Sequence, residues 1–242
     1  MIASVSDWPE TPNDLVAAQV ALGNAADDAE PWIGRSSPPL VVAGAFALGA
    51  TARGISPDAV WAGAVATRAG EIVGNAVVRA DHRPRYEPGL LALREGPLLE
   101  RAVRSLNQDV DVLVVNATGR DHPRRAGLAV HLGAALGLPT IGVTDRTLVA
   151  KVYSEPGSSR GDAASILLDG RLVAMLVRTA EGARPVVVHA AWRTSAQTAL
   201  SVVLEVTRRA RTPEPIRLAR RLVKMARALD ERRLLRPRED PP

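Results

Sequence analysis

The run Asp111-Val112-Leu113-Val114-Val115 decides the fold, together with Thr140-Ile141-Gly142-Val143. Both are short and almost entirely apolar, which is typical of strands buried on both faces in the middle of a sheet. Residues 123–136 between them have a helical pattern, and Gly137-Leu138-Pro139 ends it. A strand, a helix and a second strand in this order predict a right-handed crossover between two parallel strands.

Three strand-like segments precede this crossover. Residues 40–48, 60–67 and 72–79 are rich in Val and Ala, and Arg68-Ala69-Gly70-Glu71 between the last two is a hairpin signal. Strands that follow one another with short turns pair with their neighbours in antiparallel orientation. These segments therefore predict a three-stranded antiparallel meander.

The remaining elements complete an α/β fold. Residues 165–168 and 172–177 flank Asp169-Gly170, a strong type I′ hairpin signal. We also predict a strand at residues 185–189 and helices at residues 7–26, 89–105, 195–211 and 213–229. The fold class is then a mixed sheet, with the antiparallel meander joined to parallel strands and helices on both faces. We expect a single domain over residues 1–229, followed by a charged, proline-rich disordered tail over residues 230–242.

Composition restricts the class of protein. The 242 residues are 46% apolar, enough for a sizeable core. The chain has no cysteine, which excludes disulfides and cysteine-ligated zinc and fits a reducing compartment. The N-terminus lacks a signal-peptide pattern, and no apolar run reaches the roughly 18 residues that a membrane span needs. We therefore expect a cytoplasmic protein that has no membrane partner.

The charge of the chain favours a polyanionic partner. The formal net charge is +5, and Lys151 and Lys224 are the only lysines among 31 basic residues. Arginine makes planar, bidentate contacts with phosphate, so DNA or RNA is the partner that this composition favours. Codon bias in a GC-rich genome, combined with solvated helix faces, is the alternative explanation, and charge alone leaves both open.

Two loop stretches carry the chemical hypotheses. Tyr86-Glu87-Pro88-Gly89 is a rigid turn that leads into the helix containing Glu95. Residues 116–127 leave the central strand and contain two glycines, a histidine, a proline and several arginines. At the start of a helix this composition predicts an anion site, because the first backbone amides there have no partner inside the helix. An ordinary loop with exposed arginines is the structural alternative.

In combination, these motifs resemble the endonuclease V family. They are Tyr-x-Pro-Gly-Leu-Leu-x-x-Arg-Glu at residues 86–95, Gly-x-x-His-Pro-Arg-Arg-x-Gly-Leu-Ala at 119–129, His131-Leu132-Gly133, and Leu138-Pro139-Thr140-Ile141-Gly142-Val143. The resemblance covers roughly residues 7–228. It implies a ribonuclease H-like fold, in agreement with the mixed sheet. It also implies Mg²⁺-dependent cleavage near a deaminated base, chiefly hypoxanthine (inosine), in DNA or RNA.

Transferred residue by residue, the resemblance preserves little of the family's catalytic site. The family's two strand aspartates fall on Phe46 and Asn116, and its histidine, lysine and late histidine fall on Thr118, Asp145 and Trp192. Glu95 is the one metal-binding acid that remains, and it is the candidate catalytic residue. Mg²⁺ prefers oxygen ligands, and paired acids offset the repulsion between two bound cations. The resemblance therefore implies a divergent member with weak Mg²⁺ binding.

The resemblance keeps more of the recognition apparatus. Tyr86, with Pro88 and Gly89, matches the family's wedge, which separates the strands beside the damaged base, and stacking of a base on an aromatic ring is worth about 1–3 kcal/mol. The other candidate nucleic-acid-binding residues are Gly119 and Gly127, which match positions near the flipped base, and His122, Arg124 and Arg125. The alternative is that all of these residues are retained because they hold the fold.

Three hypotheses follow. The first is a catalytically impaired endonuclease V-like protein that still binds nucleic acid related to the repair of deaminated bases. The second is an active Mg²⁺- or Mn²⁺-dependent endonuclease with a rearranged site built from Glu95, Asp145 and Asn116. The third is a protein that binds a protein partner or a small molecule on the same scaffold, because Phe46 and Trp192 would make the former acidic site apolar. We expect a monomer in each case.

Overall fold

The computed structural model describes residues 8–34, 39–50, 56, 58–81 and 89–234. Its centre is one eight-stranded sheet, in the order β3-β2-β1-β4-β5-β8-β7-β6. The strands are β1 (Val41–Gly49), β2 (Val60–Arg68), β3 (Glu71–Ala80), β4 (Val112–Val115), β5 (Thr140–Thr144), β6 (Ala163–Leu168), β7 (Arg171–Val177) and β8 (Val186–Ala190). The helices are α1 (Pro12–Asp28), α2 (Leu91–Arg104), α3 (Leu128–Leu136), α4 (Ala196–Glu205) and α5 (Glu214–Leu234).

The strand pairing confirms the predicted mixed sheet. β1, β2 and β3 form the antiparallel meander. β1 pairs in parallel with β4, and β4 with β5, so the central crossover is present. β8 pairs antiparallel with both β5 and β7, and β6 and β7 form the hairpin at the edge.

Helices cover both faces of this sheet, as predicted. Leu15 of α1, Leu98 of α2 and Leu132 of α3 belong to one core cluster. Val202 of α4 and Ile216 of α5 belong to a second cluster, together with strand residues such as Val114. Since Leu113 and Val115 belong to the first cluster, β4 alternates between the two faces. Within the described ranges, no helix is both long enough and apolar enough to span a bilayer.

α1 begins at Pro12 rather than at residue 7, and the C-terminal ends of α4 and α5 also differ from the sequence prediction. α4 ends at Glu205 rather than at residue 211, because Arg160 reaches its end and donates to the carbonyls of Leu204 and Thr207 at 2.5 and 2.8 Å. α5 continues to Leu234, through residues that we assigned to a disordered tail. The indole of Trp61 donates to Asp230 at 2.7 Å, which anchors this last part of the helix. Residues 235–242 of the expected tail lie outside the described residues, and the single-domain boundary stays a prediction.

The start of the described chain is fixed by one aromatic contact. The ring of Trp8 stacks on His131 of α3, with 4.1 Å between centroids and 15° between planes. The Trp8 indole also donates to Glu100 of α2. It lies directly over Gly96, where a Cβ atom would be 2.1 Å from the ring. Trp8 therefore joins α2 to α3.

The contact between Trp8 and Gly96 predicts that Gly96→Ala has opposite effects on stability in the presence and absence of the indole. Gly96→Ala in the natural sequence should destabilise the protein by roughly 1–3 kcal/mol, because the added methyl group displaces the indole. In a Trp8→Ala background the clash is gone, and the same change should stabilise by up to about 1 kcal/mol, because alanine is the better helix former. Urea unfolding of the four proteins gives both values. An equal effect of Gly96→Ala in the two backgrounds would refute the packing described here.

Candidate functional site

A cavity of about 150 Å³ lies where β4 and β5 end. It contains polar groups from Asn116, Thr118 and Thr144, while Leu91, Leu128 and Leu148 contribute apolar walls. The remaining lining residues are Gln19, Gly89, Ala92, Ala117 and His122. Ligand pockets are typically apolar with a few polar groups at fixed places, and drug-sized ligands occupy about 300–1,000 Å³. This smaller cavity suits a single flat ring system.

Three side chains hold the carbonyl group of Gly89 at the edge of this cavity. It accepts hydrogen bonds from Gln19 Nε2 at 3.2 Å, His122 Nε2 at 3.3 Å and Arg124 Nη2 at 3.3 Å. Arg124 Nε also donates to Gln19 Oε1 at 2.7 Å, so the donors are themselves connected. We call Gln19, His122 and Arg124 the Gly89 clamp. It fixes the backbone at Gly89, next to the candidate wedge; Tyr86 and Pro88 themselves lie outside the described residues.

His122 takes part in the clamp as a neutral imidazole. Its Nδ1 accepts from the backbone N–H of Arg124 at 3.2 Å, which leaves the proton on Nε2 for the Gly89 carbonyl. Burial lowers the pKa of His122 to about 4, and the hydrogen bond to the Gly89 carbonyl only partly opposes this. His122 and Arg124 therefore fix the position of the turn through contacts inside the protein, a role that the sequence did not predict.

The loop of residues 119–127 is not the start of a helix. α3 begins at Leu128, with Gly127 as its N-cap, rather than at residue 123. The backbone of Arg125 has a positive φ of 55°, which interrupts a helix. The helix start predicted at Pro123 is therefore wrong, and an anion site at residues 119–127 stays a prediction.

The two glycines of this loop allow close packing of backbone segments. A Cβ atom on Gly119 would lie 2.1 Å from the carbonyl oxygen of Ala190 on β8. A Cβ atom on Gly127 would lie 2.4 Å from the carbonyl oxygen of Thr118. These contacts account for both glycines within the fold, and a role beside a base stays a prediction.

Arg125 lies in a cluster of charges at the end of α1. Asp27 pairs with Arg125, with Arg171 at 2.6 Å and with Arg120 at 3.4 Å. Arg125 also donates to Asn24 at 2.9 Å. Burial raises the pKa of Asp27, but the hydrogen bonds from Arg171 and Arg125 outweigh this and lower it overall. Three cations around one carboxylate leave the cluster net positive.

Asp121 is a site residue that sequence analysis missed. Its side chain has no solvent exposure and accepts hydrogen bonds from three consecutive backbone amides, those of Leu148, Val149 and Ala150, at 2.7, 3.0 and 2.8 Å. Asp121 thus ties the loop after β5, with its cavity residue Leu148, to the loop after β4. An acid among arginines in a loop is usually solvated, so the sequence offered no signal for this role.

His189 of β8 binds the end of β5, where the same loop begins. Thr144 donates to the carbonyl of Arg146 at 2.7 Å, so its oxygen accepts from His189 Nε2, also at 2.7 Å. His189 Nδ1 lies 4.0 Å from the Asp121 carboxylate. Burial lowers the pKa of His189 to about 4, against the attraction of Asp121. His189 is therefore neutral at pH 7.

Glu95 lies half-buried in the first turns of α2. Burial raises the pKa of its carboxyl group to about 7, and the charge of Arg94 only partly opposes this. A carboxyl group that titrates near neutral pH is a common property of functional sites, although a structural position can produce it too.

The positions that the resemblance assigns to other catalytic residues are occupied differently. Phe46 packs in the core on the α4 and α5 side, with the Arg220 guanidinium 5.5 Å from its ring centroid. Trp192 is 7% exposed and packs in the core with α3. Asp145 forms an ion pair with Arg211 at 2.6 Å, whereas the charge that acts on Glu95 is that of Arg94. Among the described residues, no three Asp, Glu or His side chains are grouped so that they could hold a metal ion.

The amide bonds to Asp121 predict a loss of order in one loop. In Asp121→Asn, an amide with a single acceptor oxygen faces three N–H donors, so about 1–3 kcal/mol of stability should be lost for the unsatisfied groups. Hydrogen exchange measured by mass spectrometry should show faster exchange at residues 148–150. The matched control is Asp169→Asn in the β6–β7 hairpin, where φ is 51° and asparagine fits equally well. Unchanged protection in Asp121→Asn would contradict the assignment.

The raised pKa of Glu95 predicts that this residue destabilises the folded chain more strongly as pH rises. From its ordinary value of 4.5 up to about 7, the folded chain keeps this proton while the unfolded chain releases it, so stability falls as pH rises through that window. Glu95→Gln should therefore match the natural protein at pH 4 and exceed it by roughly 1–3 kcal/mol at pH 8. Urea unfolding in the presence of a chelator measures this, with exposed Glu181→Gln as control. A difference that does not change with pH would contradict the prediction.

Comparison with known proteins identifies the family. The sequence profile described as Endonuclease V matches residues 41–221. An endonuclease V from Nocardia farcinica is 44% identical over 156 residues, which cover 64% of this chain and 68% of the relative. Over three such relatives the covered share of their length ranges from 58% to 68%.

Solved structures agree. The endonuclease V from Streptomyces avermitilis is 35% identical with a TM-score of 0.80, covering 93% of this chain and 96% of that one. A Ciona intestinalis endonuclease V, crystallised with a 24-mer DNA containing an inosine followed by a ribo-adenosine, is 19% identical with a TM-score of 0.76. It covers 90% of this chain and 97% of that one, and it supports the fold alone. With the ribonuclease H-like sheet and the profile match over most of its length, this chain belongs to the endonuclease V family.

Proposed function

We propose that this protein binds nucleic acid at a deaminated base, inosine in the first instance, and that its capacity to cleave the strand is impaired. The observation that carries the recognition half is the Gly89 clamp beside the cavity at the ends of β4 and β5. A wedge can separate two strands only if the backbone that carries it is held rigidly. Three hydrogen bonds to the Gly89 carbonyl supply that rigidity.

The cavity is suited to a flipped base. Apolar side chains from α2, α3 and the loop after β5 can cover the faces of a ring, while Asn116, Thr118 and Thr144 offer polar atoms to its edge. Enzymes that act on a base read it in this way, by stacking between apolar walls and by hydrogen bonds to its edge. Inosine is the base that we propose to test first, because a Ciona endonuclease V was crystallised with inosine-containing DNA. Asp121 holds the backbone of Leu148 in place, and His189 holds Thr144.

The proposed impairment follows from the donor set. When bound, Mg²⁺ would stabilise charge on the phosphate and activate a water molecule. Phe46 and Trp192 offer no oxygen, and Asn116 offers only a neutral one. Asp145 is engaged by Arg211. Glu95 alone, with a pKa near 7, is a poor ligand at neutral pH because part of the population is protonated. The residues present do not fit a two-metal site, and we derive no cleavage step through one.

Binding measurements test the recognition half. Fluorescence anisotropy with matched duplexes should show about tenfold tighter binding to inosine-containing than to undamaged DNA, the scale of one stacked base. Gln19→Leu, which removes one clamp donor, should reduce this preference by several fold. The control Gln197→Leu, at an exposed position on α4, should leave it unchanged. Equal and negligible binding to both duplexes would refute the proposal, and a co-purifying small molecule or protein would then favour the third hypothesis.

A cleavage assay tests the second half and the competing candidate. One observation favours an active enzyme with a rearranged site: the raised pKa of Glu95, which suits acid–base work near pH 7. We expect no product with Mg²⁺ or Mn²⁺ from the natural protein. Metal-dependent product that Glu95→Ala abolishes would refute impairment and support the rearranged site. Product that Glu95→Ala leaves unchanged would indicate a contaminating nuclease.

A further inference from the structure

We propose that the outer face of α5 is a second nucleic-acid contact, which binds the phosphate backbone without regard to sequence. Four basic residues, Arg217, Arg221, Lys224 and Arg232, recur at intervals of four, three and eight residues, and all are exposed. With 3.6 residues per turn these intervals place all four on one stripe. We call them the α5 basic stripe. This second proposal shares one premise with the proposed function, namely that the partner is nucleic acid.

The stripe is the outward side of a helix whose inward side is fixed. Ile216, Ala219 and Val223 are 0–1% exposed and pack towards the sheet. A Cβ atom on Gly44 of β1 would lie 2.1 Å from the backbone of Pro215, so the start of α5 is in direct contact with the strand. The stripe is thereby held on a rigid element over about 22 Å of helix axis. That length faces about six phosphates of one DNA strand.

The acids of α5 do little to neutralise the stripe. Glu214 pairs with Arg217 at the start of the helix. Asp230 accepts from the indole of Trp61, and Glu231 lies 4.0 Å from Arg227. Among the described residues, no carboxylate lies within ion-pair distance of Arg221, Lys224 or Arg232. Their charges face solvent and are available to a polyanion.

The basic surface extends beyond α5 at its first turn. Arg208 and Arg209 precede the helix, are exposed, and line a cavity of about 320 Å³ that Arg217 also lines. Glu205 and Glu214 line the same cavity and lower its charge. Arg208 donates to the carbonyl of Ala69 at 3.0 Å, which attaches this part to the β2–β3 hairpin. The positive surface therefore runs from the hairpin along the helix.

A phosphate backbone fits the stripe better than a bilayer or an acidic protein does. A helix that lies in a membrane surface needs a broad exposed apolar face, and on α5 the apolar face is buried. Among the described side chains of α5, the exposed large apolar residues are Met225 and Leu229, at 55% and 65%, which are too few to form such a face. Protein interfaces are usually centred on aromatic anchors, and α5 contains none.

The salt dependence of binding to an undamaged duplex tests the stripe. The triple variant Arg221→Gln, Lys224→Gln, Arg232→Gln should reduce the slope of log K against log salt by about 2.7, or 0.9 for each lost phosphate contact, between about 50 and 200 mM salt. The inosine preference, as a ratio between matched duplexes, should remain. Circular dichroism and thermal unfolding verify that each variant is folded.

The control removes the same charge elsewhere. The control is a triple variant that removes three exposed cations outside α5, Arg101→Gln, Lys151→Gln and Arg184→Gln. Its slope of log K against log salt should stay within about one unit of the natural value. An equal loss in both triple variants would overturn the proposal in favour of net charge alone. An unchanged slope in the α5 variant with inosine preference intact would overturn the stripe and leave the proposed function standing.

The remaining outcomes are also decisive. A natural protein that binds both duplexes equally, with a slope that the α5 variant reduces, would support the stripe while the proposed function fails. Absence of any binding would overturn both. If the α5 variant instead loses binding to phosphatidylserine vesicles and keeps its DNA slope, the surface binds membranes and the proposal is wrong.

Discussion

A carboxylate with no solvent exposure joins the two loops that leave the central parallel strands. Asp121, after β4, accepts from three consecutive amides of the loop after β5. The sheet fixes where the strands end, but it does not fix the course of the chain beyond them. Buried N–H groups need acceptors, and one carboxylate supplies all three. The cavity exists in its observed form because this bond network gives both loops one arrangement.

The Gly89 clamp and the Asp121 network both hold residues that line the same cavity. One holds the turn that precedes α2, and the other holds the loop after β5. Both are built from buried or half-buried side chains, and both are separate from the positions that the resemblance assigns to metal-binding acids. In the proposed function, recognition and cleavage therefore depend on separate sets of residues. A chain of this family can replace its metal-binding acids and keep the geometry around the base, which is the combination that we propose here.

The sequence predicted the sheet because its signals are local. Apolar runs, a helical period and turn residues such as Asp169-Gly170 each specify a few neighbouring residues, and they predicted the meander, the crossover and the hairpin, but not the order of all eight strands. The start of α3 was misplaced because Pro123 resembles a first helical residue, whereas the positive φ of Arg125 depends on its contacts with Asp27 and Asn24. Gln19 lies 70 residues from Gly89, and no pattern in a single sequence reveals such a contact. His122 and Arg124 were recognised as site residues, but their internal role was not.

The contact between Phe46 and Arg220 limits what a metal-binding side chain at position 46 could do. A carboxylate introduced at position 46 would find a guanidinium already beside it, since Arg220 lies 5.5 Å from the present ring centroid. An ion pair would compete with any metal for the new oxygens. Gly44, the neighbouring position on the same face of β1, has no room for a side chain beneath Pro215. A carboxylate at position 46 would therefore be free of this competing ion pair only if Arg220 changed as well.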